Sequence, residues 1–363
     1  MANPSDYFSA SYDDARRKFL GAAAEAGLEP EHHVNPNKGM AGEEIATDVV
    51  RIGPDDADIV LFTMSATHGV EGFCGSGAQV GTLVSGQAGE LPDNTAMVLI
   101  HAINPHGFSW LRRVNEDNVD LNRNHVDHSA PYPQNHGYVE LQHAICPADW
   151  SDDARAAADE ILQAYADKHG DMALQGAISQ GQHVHPEGLF FGGQFEVWSA
   201  GRMRDIVARH ATGARHVGFI DYHTGLGPYG YGEPISDHTP GEAGHDRLVQ
   251  WIGDDVTSTD DGSSTSAPLT GVNAVTIKEA SPHASHTLVT LEYGTQPVPE
   301  VLGSLRADCW LHNHGDLDSD QGRAIKAEIR RCFYGDDDAW KRDVWQRAHD
   351  TQRRMLAGLA AMG

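Results

Sequence analysis

Cysteine, basic residues and long apolar runs are all scarce in this sequence. Four cysteines are too few for a disulfide scaffold and lack the spacing of a metal site, so we expect free thiols at Cys74, Cys146, Cys309 and Cys332. No apolar run is long enough to cross a membrane. The first residues lack the basic start and apolar segment of a secretory signal, so a cytoplasmic location is the expectation.

Acidic residues outnumber basic residues two to one. The 363 residues include 52 Asp and Glu against 26 Lys and Arg, which gives a formal net charge of −26. Such a surface repels nucleic acids and anionic membranes, so we expect neither as a partner. The length allows one large α/β domain or two, and we favour a single domain over 1–363 because the candidate site residues spread from 68 to 292 and must meet. No feature of the sequence indicates an oligomeric state.

Stretches with strand and helix periodicity alternate along the chain. We expect strands at 46–52, 57–66, 96–103, 215–222, 272–279 and 286–293. We expect helices at 10–27, 70–85, 149–169, 195–212, 242–256, 297–312 and 340–362. This alternation predicts an α/β fold with three α/β/α layers and a mixed, mostly parallel central sheet, in which ligands bind at the carboxyl ends of the strands.

His68 and Glu71 form the most informative motif. They follow the apolar run 59–64, which predicts a buried strand. A strand that ends at His68, with a helix that begins near Glu71, would direct both side chains into one crevice. An imidazole and a carboxylate in this arrangement suit Zn²⁺, which binds nitrogen and oxygen ligands. The alternative interpretation is a helix N-terminus with a favourable Glu in its first turn.

Two further strand ends carry ionisable residues. The apolar run 217–220 leads into Asp221 and His223, which point to the same side of the strand because they are two residues apart. The run 287–291 ends in Glu292, whose carboxylate is expensive to bury without a charged partner or a catalytic role. The alternative for this glutamate is a structural pair with an arginine.

Arginine, asparagine and aspartate are concentrated between residues 104 and 124. The polar residues that follow Asn104-Pro-His-Gly107 include Arg112, Arg113, Asp120, Asn122 and Arg123. Guanidinium groups bind carboxylates through two parallel hydrogen bonds. In so acidic a chain, the segment predicts a local positive site that selects anionic substrates; the alternative is a surface loop with salt bridges.

Together these motifs resemble the zinc carboxypeptidase family of the carboxypeptidase A type. They resemble even more closely its relatives that include succinylglutamate desuccinylase and aspartoacylase. The family pattern is His-x-x-Glu, Asn-Pro-x-Gly, an Arg, Asp-x-Asn-Arg, a third His and a catalytic Glu, and all these parts occur here in that order over residues 57–295. The Asp-Tyr-His-Thr-Gly form of the third-histidine segment favours the desuccinylase side.

The resemblance implies a metal centre and a general base. The ligands of one Zn²⁺ per chain would be His68, Glu71 and His223, with water in the fourth position. Glu292 matches the general base, which takes a proton from the water and later delivers it to the leaving amine.

Further residues match the family's supporting roles. Asp120 corresponds to the carboxylate that orients a ligand histidine, and Asp221 could act in the same way on His223 or cap a turn. Asn122 and Arg123 match the residues that hold the substrate carboxylate.

Two assignments within the resemblance have rivals. Arg113 is our choice for the arginine that stabilises the oxyanion, and Arg112, one residue away, is an alternative that would contact substrate. Tyr231 and Tyr229 lie in a Gly-rich segment and are candidates for the family's mobile tyrosine, although a structural turn is an equal alternative.

The function that the resemblance implies is hydrolysis of an amide bond next to a free carboxylate. The substrate would be a short peptide for a carboxypeptidase or an N-acyl amino acid for a deacylase. One alternative is a zinc esterase or lactonase that uses the same site. Another is a catalytically silent binding protein of this fold, which the joint presence of His68, Glu71, His223 and Glu292 disfavours.

Overall fold

The structure is a computed structural model that describes residues 3–86 and 89–363, so four residues of the predicted 1–363 domain lie outside it. The described strands are β1 (Glu31–Lys38), β2 (Glu44–Ile52), β3 (Ile59–Met64), β4 (Thr95–His101), β5 (His216–Tyr229), β6 (Gly232–Ser236) and β7 (Ser285–Gly294). They form one mixed sheet in the order β1-β2-β4-β3-β5-β7-β6.

The parallel strands lie in the centre of the sheet. β4, β3, β5 and β7 are parallel neighbours, whereas β1, β2 and β6 are added at the edges by antiparallel pairing. Parallel strands bring their carboxyl ends to the same edge of a sheet. The ends of β3, β5 and β7 therefore meet, and His223 and Glu292 are direct partners in the register of β5 and β7.

Helices pack on both faces of this sheet and beyond its carboxyl edge. They are α1 (Tyr12–Glu25), α2 (Gly72–Val84), α3 (Pro105–Ser109), α4 (His136–Ile145), α5 (Asp152–His169), α6 (Asp171–Ser179), α7 (Trp198–His210), α8 (Ala243–Ile252), α9 (Asn273–Ala280), α10 (Val298–His314), α11 (Asp320–Phe333) and α12 (Asp338–Ala360). In the described ranges, none of them is both long and apolar enough to span a bilayer.

Alternate residues of the central strands point into two separate cores. Leu61 packs in the core under α1, α2 and α12, whereas its neighbours Val60 and Phe62 pack in the core under α7 and α9. This alternation is the expected consequence of the two-residue period of a strand. The predicted three-layer α/β fold with a mixed sheet is confirmed.

A third core stands beyond the carboxyl edge of the sheet. It joins α4, α5, α6, α10 and α11, and it includes Tyr138, Ile178, Phe190 and Leu305. Because this helical layer faces the strand ends, it forms one wall above them.

The strand predicted at 272–279 is wrong, because these residues form most of α9. Ala274 and Ile277 are buried, whereas Val275 is 40% exposed. Residues three apart share a helical face, so burial follows the helix period, although Val, Thr and Ile favoured a strand. The polar edge strand β1, the short strand β6 and the helices α3, α4, α6 and α11 were not predicted.

Candidate metal centre and active-site cavity

The turn after β3 is fixed by its contact with the Asn104-Pro-His-Gly turn. His68 precedes a single 3-10 turn, Gly69–Glu71, which runs directly into α2. A side chain at Gly69 would place its Cβ 2.0 Å from the backbone of Gly107, so only glycine allows this approach. The Val70 N–H also donates to the Arg112 carbonyl at 2.8 Å. The two motifs therefore pack against each other.

His68, Glu71 and His223 meet at the carboxyl edge of the sheet. All three are buried, and one potential ligand atom from each lies within 4.8 Å of the others. Nδ1 of His68 is 2.9 Å from Glu71 Oε1, and Nδ1 of His223 is 3.3 Å from Glu71 Oε2. The two Nδ1 atoms are 3.2 Å apart. These atoms converge closely enough for a single ion to bridge them.

The second nitrogen of each histidine faces a buried carboxylate. His68 Nε2 lies 3.1 Å from Asp120 Oδ1, and His223 Nε2 lies 2.6 Å from Asp221 Oδ2. A histidine that donates Nε2–H to a carboxylate directs the lone pair of Nδ1 towards a metal. The arrangement of both rings therefore fits a metal ligand set.

One contact of His68 favours the other tautomer. The Nη2 atom of Arg113 lies 2.8 Å from His68 Nε2, and a guanidinium nitrogen can only donate. The Arg113 contact requires a lone pair on Nε2, whereas the Asp120 contact requires a proton there. We assign Nε2–H to Asp120 in the metal-bound form, because a metal requires the Nδ1 lone pair.

Glu71 is held as an anion. Burial alone would raise its pKa, but His68 and His223 lower that pKa below its ordinary value. Its Oε1 accepts from Arg113 Nη1 at 3.2 Å, and its Oε2 accepts from the Thr224 N–H at 3.0 Å. The carboxylate is thus ionised and fixed in position.

Both orienting carboxylates are themselves anchored. Asp221 accepts from Thr67 Oγ1 at 2.9 Å and from Asn273 Nδ2 at 2.6 Å. Asp120 accepts from Arg113 Nε at 2.9 Å. Thr67 and Asn273 were not among the predicted site residues. Thr67 directly precedes His68, which was a usable signal, whereas Asn273 lies in the segment wrongly predicted as a strand.

Glu292 lines the same cavity as His68, Glu71 and His223, the candidate metal ligands. Its Oε1 accepts from the Leu226 N–H at 3.0 Å. Burial first, and then the negative charge of Glu71, raise the pKa of Glu292 to about 8. A cation bound by Glu71 would lower this pKa, because it would offset the negative charge.

Arg123 brings a buried cation to the cavity without a carboxylate of its own. In the described ranges its guanidinium donates to carbonyls, from Nε and Nη2 to Ser179 at 3.1 and 2.6 Å and from Nη1 to Asn122 at 2.8 Å. Burial lowers its pKa to about 10. These contacts use one N–H of each terminal nitrogen, and a guanidinium N–H is a donor that carboxylates accept from. Asn122 also lines the cavity, and its Oδ1 accepts from the backbone N–H of Asn273 at 3.0 Å.

The two adjacent arginines have different environments. Arg113 lines the cavity and contacts Glu71 and Asp120. Arg112 is absent from the cavity lining; its Nε pairs with Asp308 at 3.2 Å and its Nη2 donates to Asn118 at 2.8 Å. The structure thus holds Arg112 against a buried aspartate, outside the cavity lining, and the expected contact of Arg112 with substrate stays a prediction.

The predicted tyrosines also lie outside the cavity lining. Tyr231 is 43% exposed, with its hydroxyl 3.5 Å from Asp255, and Tyr229 is 50% exposed and donates to Asp337. They flank the turn between β5 and β6, as the alternative interpretation had it. Tyr231 is therefore an exposed turn residue in this conformation, and its expected role as a mobile substrate-binding tyrosine stays a prediction.

The cavity has a volume of about 730 Å³ and extends well beyond the candidate metal ligands. One wall is largely apolar and includes Leu174 and Ile178 of α6, Leu302 and Leu305 of α10, and Phe190 from the loop before α7. No sequence pattern indicated these residues, because only tertiary packing brings α6, α10 and this loop together at the site. A cavity of this size suits a small molecule or a short peptide.

The fold places the protein in the carboxypeptidase-like α/β class. Carboxypeptidase A from Helicoverpa armigera has a TM-score of 0.51 and 13% identity, over 97% of this chain and 74% of that chain. Bovine thrombin-activatable fibrinolysis inhibitor, in complex with tick carboxypeptidase inhibitor, has a TM-score of 0.53 and 10% identity, over 98% of this chain and 99% of that chain. The predicted resemblance in fold is confirmed, and identities this low show the fold alone.

By sequence, the chain belongs to the family described as "Protein of unknown function (DUF2817)", whose model matches residues 8–347. No curated protein matches the chain.

Proposed function

We propose that this protein is a zinc-dependent amidohydrolase that cleaves an amide bond next to a free carboxylate. The observation that carries the proposal is the convergence of His68, Glu71 and His223, with each imidazole backed by its own carboxylate. Two imidazoles that turn Nδ1 towards one carboxylate, each with Nε2 facing a second carboxylate, form a ligand set for a cation.

The donor set supports zinc as the ion. Two imidazole nitrogens and one carboxylate oxygen match the ligands of catalytic zinc sites, which keep a fourth position open. When bound, the ion would supply Lewis acidity to the scissile carbonyl and to the attacking water. His68 and His223 would hold it through Nδ1, and Glu71 through its ionised carboxylate.

Glu292 is the proposed general base. It is a buried carboxylate next to the ligand group, and the Leu226 N–H holds one of its oxygens. A pKa raised towards neutrality lets a carboxylate take up a proton and release it again near neutral pH. Glu292 would accept a proton from water and deliver it to the leaving amine.

Arg113 is the proposed group that stabilises the negative charge developing on the carbonyl oxygen. It lines the cavity, and its contacts with Asp120 and Glu71 fix the guanidinium in place. A preorganised donor of this kind contributes to the rate because it does not reorient during the reaction.

Arg123 and Asn122 are the proposed grip for the substrate carboxylate. Arg123 is a buried cation whose described hydrogen bonds go to carbonyls, and a substrate carboxylate would balance its charge. A carboxylate held there would fix one end of the substrate while the adjacent amide reaches Glu292. The substrates are therefore N-acyl amino acids or short peptides.

A panel of N-acyl amino acids, C-terminal dipeptides and matched esters tests this function. Each should be assayed with zinc-loaded protein, with chelator, and with chelator followed by zinc. We expect amide hydrolysis that disappears with chelator and returns with zinc. Hydrolysis of esters alone would replace the amidohydrolase by an esterase, and stoichiometric zinc without turnover of any substrate would favour a binding protein.

A further inference from the structure

We propose that Cys146 and Cys309 are a redox-active thiol pair that forms a reversible disulfide on exposure to hydrogen peroxide. Their Sγ atoms are 3.6 Å apart, although the residues are separated by 163 positions in the sequence. A disulfide bond requires about 2.0 Å between the sulfurs, so a small side-chain movement would close the gap.

Contacts on both sides hold the two cysteines together. Cys146 ends α4, and Arg306 of α10 donates to the carbonyls of Ala144 and Ile145 at 2.9 and 3.1 Å. Trp310, next to Cys309, donates from Nε1 to the Ala148 carbonyl at 3.1 Å. These bonds fasten the end of α4 to α10 on either side of the sulfurs, so the pair does not depend on a chance rotamer.

A small oxidant has a route to the pair. Both cysteines line a second cavity of about 260 Å³, which shares no lining residue with the metal cavity. Cys309 is buried and Cys146 is partly exposed. Peroxide can therefore reach Cys146 first, while Cys309 stands behind it as the second thiol.

The chemistry of the pair suits this order. The hydrogen bond from Cys309 lowers the pKa of Cys146, whereas the same contact and burial raise the pKa of Cys309. The Cys146 thiolate would attack one peroxide oxygen and break the O–O bond, which leaves a sulfenic acid and a hydroxide that takes up a proton. The Cys309 sulfur would then attack the Cys146 sulfur and release water. In total, two thiols are oxidised and one peroxide is reduced to two waters.

The disulfide would connect two parts of the metal cavity. α6 packs against α4 and contributes Leu174 and Ile178 to the apolar wall, and α10 contributes Leu302 and Leu305. The bond would therefore restrain the distance between α10 and the pair formed by α4 and α6. This inference rests on the thiol geometry and does not depend on the proposed hydrolase activity.

Thiol counting on the full chain tests the proposal. Reduced protein is treated with stoichiometric hydrogen peroxide, unfolded, alkylated and weighed by mass spectrometry. We expect four alkylated cysteines before oxidation, two after it, and four again after dithiothreitol. Peptide mapping should find the cross-link between Cys146 and Cys309.

Three variants make the result specific. Cys332→Ser, the control, should lose two of its three thiols on oxidation, whereas Cys146→Ser and Cys309→Ser should each form no intramolecular disulfide. Four free thiols in the oxidised wild type, a cross-link at other cysteines, or a sulfinic acid at Cys146 beside a free Cys309 would each overturn the proposal.

Discussion

The cavity has two ends that differ in how their charges are balanced. The ligand end holds His68, Glu71 and His223, and the Arg123 end holds Arg123 and Asn122. Around the histidines, the carboxylates of Glu71, Asp120, Asp221 and Glu292 outnumber the nearby guanidinium of Arg113. At the other end, a buried guanidinium makes its described hydrogen bonds to carbonyl oxygens. One end thus suits a cation and the other an anion, which is the polarity that a metal-dependent enzyme for acidic substrates requires.

His68→Ala removes a ligand from the negative end and should have the largest effect. We expect zinc binding and turnover to disappear together, because two remaining ligands do not complete a catalytic zinc site. Elemental analysis and an activity assay on the same sample check this. His185→Ala, in a histidine outside the cavity lining, is the matched control and should keep both; wild-type zinc content in His68→Ala would contradict the ligand assignment.

Glu292→Gln tests the proposed general base independently of the proposed metal ligands, which lie at the same end of the cavity. The variant should keep zinc but lose turnover by roughly 10²–10⁴-fold, the usual contribution of a positioned general base. Glu233→Gln is a matched control on the neighbouring strand, since Glu233 is buried, pairs with Glu292 in register and bonds to Thr257 and Thr265. It should keep most of its turnover. A wild-type rate in Glu292→Gln would assign this residue a structural role.

The charge excess at the ligand end should also appear in the stability of the metal-free protein. The pKa of Glu292 is raised to about 8 from its ordinary value, so the folded state holds this proton more tightly than the unfolded chain. The stabilisation that this proton gives the folded state is fully present below the pKa of Glu292 in the unfolded chain. It is lost as the pH rises through about 8. Relative to Glu292→Gln, the wild type should therefore lose up to a few kcal/mol of unfolding free energy between about pH 5 and pH 8.

Urea unfolding of both proteins in chelator, at the two pH values, measures this difference. Zinc should reduce the pH dependence, since a cation at Glu71 favours the ionised form of Glu292. A difference between the proteins that does not change with pH would show that Glu292 titrates normally.

Arg123→Ala tests the positive end. A hydrogen bond between charged groups contributes about 1.5–3 kcal/mol, so we expect kcat/KM on a free-acid substrate to fall roughly 10–150-fold. The loss should be small on the corresponding amide, which has no carboxylate to bind. Tyr231→Phe, outside the cavity, should leave both substrates unaffected. Equal turnover of acid and amide by the wild type would exclude carboxylate recognition and leave the metal chemistry intact.

Asp221→Asn should have a more moderate effect, because it changes the support of a ligand and not the ligand itself. Asparagine offers Nε2–H of His223 at best a neutral amide oxygen in place of an anionic one, so it supports the ring less strongly. Loss of such a partner typically lowers metal affinity roughly 10–100-fold. Competition with a chromogenic chelator measures the affinity, and an unchanged value would reduce Asp221 to the turn-capping role that the sequence also allowed.

Sequence patterns predicted the residues of the ligand end better than those of the Arg123 end and its apolar wall. Local order was enough for the first, since an apolar strand followed directly by a polar residue places that residue at the edge of the sheet. His223 and Glu292 are therefore neighbours, because β5 and β7 are adjacent strands in the sheet. The apolar wall of α6 and α10 had no such pattern, because residues there are buried against each other through the packing of separate helices.

The amino-acid sequence by itself determined the α/β class, the central strands and the convergence of His68, Glu71, His223 and Glu292. Tertiary structure alone decided which of two consecutive arginines faces the cavity, because Asp308, 196 positions away, holds Arg112 outside it. It also brought Ser179 to Arg123 and Cys309 to Cys146. Strand periodicity fixes where a side chain starts and which face it takes, whereas its partner comes from a distant segment that is set only when the layers pack together.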